Sequence, residues 1–196
     1  MPLQFSQPPA EASAAVTSRL EAVGESPQAT SRALGGSDPS GLTPSSPHEV
    51  YVLGLDDLLS GDALGAARMT GWRYLLGDDA TTVSSAETVV TGGGEHRFAR
   101  FNSGPFVAST VAALQTVADL PQVETETIVP RLLTVPALNL MAIWVHGSAE
   151  DLLVPLAPAP PGVEAGRQYA PTELFAGLHE QALSQAGIGP EDETGG

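Results

Sequence analysis

Hydrophobic positions change period several times along the chain, and each change marks an element. In "AEASAAVTSRLEAVG", Val16, Leu20 and Val23 recur at helical spacing and Gly24 follows, which predicts a short amphipathic helix over about 10–23. Pro-, Gly- and Ser-rich runs flank it, "QPPAEAS" before and "GGSDPSGLTPSSP" after, and such runs bury too little apolar surface to offset the cost of ordering the backbone. Residues 1–47 are therefore expected to form an N-terminal arm, disordered apart from that helix.

A folded unit is expected over 48–188. "EVYVLGL" alternates, with Val50 and Val52 on one face and Tyr51, Leu53 and Leu55 on the other, so both faces of this strand should be covered. Asp62 is a candidate N-cap for a short helix over Ala63–Met69, closed by Gly71. "GWRYLLGDD" puts Trp72, Tyr74 and Leu76 on one side of a strand that ends in turn residues. "TTVSSAETVV" is β-branched, and "EHRFARFN" reads as a further strand.

The clearest helix spans about 105–119. Pro105 fits its first position, Gly104 or Ser103 its cap, and Val107, Val111, Leu114 and Ala118 its apolar stripe. Leu138–Val145 is apolar on both faces, and it forms a predicted hairpin with 151–156, where Pro155 restricts the second strand to an edge. A proline-rich crossing leads to a last helix over about 171–186, and 189–196 is an acidic tail. Runs of strands without intervening helices favour antiparallel pairing, so the fold class is α+β, a mainly antiparallel sheet with the central and C-terminal helices packed on it.

Charge narrows the function. The chain has 23 acidic and 8 basic residues, a formal charge of −15, and every basic residue is arginine. Nucleic acids and anionic membranes attract positive surfaces, so neither is an expected partner, whereas a basic protein could be. There is no cysteine, which removes disulfides, thiolate metal sites and cysteine nucleophiles. The N-terminus lacks a secretory pattern, and no run is long and apolar enough to span a membrane, so a bacterial cytoplasmic location is expected.

Candidate chemistry concentrates in "TGGGEHRFARFNSGPF". The three glycines at 92–94 lie between two strand patterns. They read as a hairpin turn, because a phosphate loop would lead directly into a helix. "RFNSGPF" does lead into one. Free amides and the helix dipole there, with Arg100, Asn102, Ser103 and Gly104, make a candidate anion site to which His96 could contribute; the plainer reading is a capped helix start.

No other motif adds chemistry. His48, His96, His146 and His179 lack metal spacing and suit turns or the surface, and neither a nucleophile elbow nor a cofactor fingerprint is present. Paired acids such as Asp56–Asp57 and Asp78–Asp79 read as solvated turn residues, and Trp72 and Trp144 as core. Without a catalytic motif or cofactor, two expectations remain: action through contact with another protein, as an adaptor, inhibitor or accessory subunit, or an enzyme or small-anion-binding protein with its pocket at 100–107.

Overall fold

The computed structural model of the chain describes residues 3–25, 34, 36–60, 63–78, 81–124, 127–147 and 150–187. Seven strands form one sheet: β1 (Thr43–Val52), β2 (Arg68–Gly77), β3 (Thr82–Val90), β4 (His96–Asn102), β5 (Val129–Val135), β6 (Leu140–His146) and β7 (Leu152–Pro155). Their order is β4-β3-β2-β1-β5-β6-β7. Every pairing is antiparallel except β1 with β5, where Val50, Tyr51 and Val52 face Leu132, Leu133 and Thr134 in parallel. The sheet is thus two antiparallel meanders joined along a short parallel seam.

Five α-helices cover it: α1 (Ala10–Gly24), α2 (Leu55–Leu59), α3 (Ala63–Ala66), α4 (Pro105–Ala118) and α5 (Pro171–Gln185). α4 lies on one face. Its Ala113, Leu114 and Val117 pack with Leu75, Leu132, Ile143, Val145 and Val154. The other face is divided between α1 and the pair α2 and α5. α1 packs on Trp72, Tyr74, Leu76 and Ala86, while α5 and α2 pack on Leu53, Leu133, Val135, Ala142 and Leu153. The alternation read from β1 is realised, with Val50 in the α4-side core and Leu53 in the opposite one.

The arm differs from expectation. Ala12, Val16, Leu20 and Val23 of α1 are all buried, and β1 begins at Thr43 rather than near His48. The helix is too short to persist alone, but the indole, phenol and leucine on β2 give its apolar stripe a partner. Serines and prolines at 43–47 enter the sheet because β2 supplies a ladder: Thr43, Pro44 and Ser45 pair with Gly77, Leu76 and Leu75. Likewise, Met69 does not extend a helix from Ala63. It belongs to β2 and pairs with Tyr51 of β1, cross-strand pairing having overridden local helix propensity. Asp62, Asp79 and the tail 189–196 lie outside the described residues.

Two smaller differences have local causes. The α4 stripe is rotated from the predicted one, with Thr110, Ala113 and Val117 buried and Ala118 exposed. Asp56 and Asp57 stand in the first turn of α2, where acids complement the helix dipole. The glycine turn is as expected. Thr91 N–H donates to Glu95 O at 2.9 Å, and Gly94 takes φ +82°, which a side chain would resist.

The sheet's two ends are unlike. At β7, Leu153 exchanges both backbone hydrogen bonds with Tyr169, each 2.9 Å, and Gly166 N–H donates to Pro155 O at 2.8 Å. Beyond β4 no strand follows among the described residues; Arg97 and Arg100 project from it, and a bulge between its Phe98 and Arg100 pairings kinks it.

If α1 is a true part of the core, Leu20→Ala will lower unfolding free energy by about 2–3 kcal/mol, the usual cost of emptying a buried leucine site. Glu21→Ala on its exposed side will change it by less than about 0.5 kcal/mol. Urea denaturation of both variants checks this.

Candidate functional site

Four strands place one ionisable side chain each in a single row. Cross-strand register sets His48 on β1 opposite Arg73 on β2, Arg73 opposite Glu87 on β3, and Glu87 opposite Arg100 on β4. Directly opposed residues share a face, so the row forms a polar ladder across the α4 side of the sheet. His48, Arg73 and Glu87 are buried, whereas the Arg100 side chain is 64 % exposed.

Glu87 joins the row. Its Oε1 accepts from Arg73 Nε at 2.8 Å and also from Arg73 Nη2; its Oε2 accepts from Arg100 Nε at 2.8 Å and lies 2.7 Å from Arg100 Nη2. Burial pushes the Glu87 carboxyl pKa up. The two guanidiniums outweigh that, and the net shift is downward. One carboxylate between two arginines leaves the row one unit positive, in a chain of formal charge −15.

His48 corrects the sequence reading, which placed all four histidines in turns or on the surface. It is fully buried. Ser46, at φ 47° beside the bulge of β1, turns its carbonyl to within 2.7 Å of His48 Nδ1, while Nε2 has no partner among the described residues. Burial lowers its pKa from 6.5 to about 4, and Arg73 adds to the effect; the Ser46 carbonyl and Glu87 oppose it.

Arg100 and Asn102 both reach the α4 side, Asn102 opposite Ser85, and the Asn102 Nδ2 and Ser85 Oγ are buried without partners. Arg100 spends its Nε and Nη2 on Glu87 rather than on the turn. Gly104 is the N-cap of α4 at φ 105°, with no side-chain cap, and Ser103 precedes it in the turn. The Val107 amide, expected to be free, donates to Gly104 O at 3.1 Å. His96 does not join them. It lies two residues before Phe98, which packs on the α1 side, so alternation sends its ring to the opposite face.

Of the residues read as an anion site, the Val107 amide is thus occupied, His96 lies on the other face, and Arg100 is bound to Glu87. That arginine stands at the rim of a cleft of about 400 Å³, where the sheet extends past the start of α4. Val50, Val52, Val89, Phe106 and Met141 supply apolar lining; Glu87, Thr70, Thr134 and Asn139 supply polar groups. Among the described residues Val89, 44 % exposed, is the one large hydrophobic side chain open to solvent. Gly71 pairs with Val89 and with Val50. A Cβ there would sit 1.8 Å from Thr88 O, so close strand approach beside the cleft requires glycine. A second hollow of about 330 Å³, between α2, α3 and α5, has only Thr172 and His179 as polar lining.

The ladder was not read from the sequence, although a signal existed. Arg73 and Glu87 are single opposite charges set inside otherwise strand-like runs, and buried charges occur in pairs. Among the described residues no group of three or more His, Asp and Glu could hold a metal, and no helix is long and apolar enough to cross a membrane. No protein-family model, curated protein or solved structure matches the chain.

Two outcomes follow from the buried charges. Glu87→Gln strands Arg73 in the interior and will cost about 3–5 kcal/mol; chemical denaturation measures it. His48 is held neutral in the folded chain, so the unfolded chain takes up the proton first as pH falls. Its contribution is fully present above about pH 6.5 and is lost progressively toward pH 4, a change on the order of 3 kcal/mol. His48→Leu will flatten the stability profile over that interval.

Proposed function

We propose that this protein is a small-ligand-binding domain whose α4-side cleft takes a compact acid: an apolar body carrying one carboxylate or similar anionic group. The carrying observation is the position of Arg100. Its guanidinium is fixed by Glu87 at the mouth of an otherwise mainly apolar cleft, and Arg73 fixes Glu87 in turn. A guanidinium held this way loses little side-chain entropy on meeting an anion, which favours affinity. It uses Nε and Nη2 on Glu87, and Nη1 retains its donors. The cleft volume is within the range of small-molecule sites.

The other expectation, action through a protein partner, draws less support. Large docking surfaces expose broad apolar patches. Here the exposed valine stands inside the cleft, where an apolar ligand body would cover it.

Titration with octanoate, octylamine and octanol, followed by calorimetry and amide chemical shifts, tests this reading. Octanoate will bind more tightly than the other two and shift the amides of Val50, Val89 and Phe106. Arg100→Met will weaken octanoate about tenfold or more, the worth of a charge-assisted hydrogen bond. Equal binding of octanol and octanoate, or an unchanged octanoate affinity in Arg100→Met, would overturn it.

A further inference from the structure

The opposite face carries a second constellation, at the margin of the core that α2 and α5 cover. β1 contributes Glu49 and Tyr51, β5 contributes Arg131, and β6 contributes Trp144. The rings of Tyr51 and Trp144 meet edge to face, 5.1 Å apart at 73°. The Arg131 guanidinium sits in their notch, its Cζ 5.1 Å from the Tyr51 centroid and 5.0 Å from that of Trp144. Tyr51 Oη donates to Glu49 Oε2 at 3.0 Å. His146 stacks its edge toward Trp144 at 5.6 Å and holds Asp151 Oδ1 2.9 Å from its Nδ1.

The cluster has too few acceptors. Arg131 Nε lies 3.2 Å from Glu49 Oε2, but its N–H does not point there, and it is buried without a hydrogen bond. Arg131 donates no hydrogen bond among the described residues, although its side chain is only 20 % exposed. The Trp144 indole N–H is likewise buried and unpartnered, in a residue 5 % exposed. Buried donors almost always find acceptors, and a guanidinium carries five N–H groups. Among the described residues Glu49 is the one carboxylate paired with Arg131, and the Tyr51 hydroxyl already occupies the oxygen nearest to it.

We propose that this cluster is a second ligand site, separate from the α4-side cleft, and that it receives the carboxylate of a small organic acid on Arg131. Carboxylate is the preferred class because a planar two-oxygen acceptor matches the guanidinium fork and can take two parallel N–H bonds. The aromatic notch fixes the fork by cation–π contact, which consumes none of its donors. Glu49 acts as the resident competitor, holding the arginine in place while the site is empty.

The test is an NMR titration of the full chain with benzoate, and in parallel with inorganic phosphate, following the two indole N–H signals. Trp144→Phe identifies which signal belongs to Trp144. The expected result is a saturable shift of the Trp144 signal with benzoate, little change at Trp72, and a weaker response to phosphate. Arg131→Lys keeps the charge but removes the fork, and will weaken benzoate about tenfold. Glu49→Gln removes the competing charge and will tighten benzoate, a gain that misfolding cannot imitate. The response will persist in Arg100→Met, which separates this site from the cleft. A non-saturating drift of the Trp144 signal, an Arg131→Lys affinity equal to wild type, or a loss of binding in well-folded Glu49→Gln would overturn the proposal and assign these donors to water.

Discussion

The short parallel joint between β1 and β5 is the constraint on which the molecule depends. Three residue pairs unite two antiparallel meanders. The joint is reinforced at its end, where Leu53 N–H donates to Thr134 O at 2.9 Å and Thr134 Oγ1 donates to Tyr51 O at 3.1 Å. Alternation along β1 gives this joint two different faces. Val50 and Val52 floor the cleft on one side, while Glu49 and Tyr51 build the arginine notch on the other. Both proposed sites therefore straddle the same seam, and a shift of one residue in its register would exchange their linings.

Around that joint the chain accepts costly groups. A buried carboxylate between two guanidiniums is weak evidence for stability, because desolvation offsets much of the attraction. What the row does supply is register. Four strands each contribute one member, and a slip between β2 and β3 would leave Arg73 and Glu87 buried without each other. Glu87 also restrains Arg100, so the polar core on three inner strands determines the geometry of the exposed group on the outer one.

Much of the architecture was legible in the sequence because it rests on local period. The α+β class, the helix beginning at Pro105, the C-terminal helix, the β6–β7 hairpin and the glycine turn all follow from spacing, breakers and turn chemistry, although β6 starts at Leu140 because Pro136–Leu138 forms a 3-10 turn closed by left-handed Asn139. What was not legible rests on partners distant in the chain. α1 has an ordinary apolar stripe, and its burial depends on Trp72, Tyr74 and Leu76, some fifty residues later. His48 carries no local mark of burial; β2 and the Ser46 carbonyl create it. Of the candidate site, Arg100 and Asn102 lie on one face, while the bulge between Phe98 and Arg100 separates His96 from them.

The unequal ends of the sheet bear on how copies of this protein could meet. Tyr169 and Gly166 occupy the outer hydrogen-bonding groups of β7, whereas the outer side of β4 has no strand beside it among the described residues. A sheet with two open edges can grow without limit, adding copy to copy. A sheet with one open edge can add only once: two copies joined through β4 would form a closed pair, capped at both ends. The loop behind β7 thus acts as a terminator, and it makes any edge-to-edge association of this fold finite.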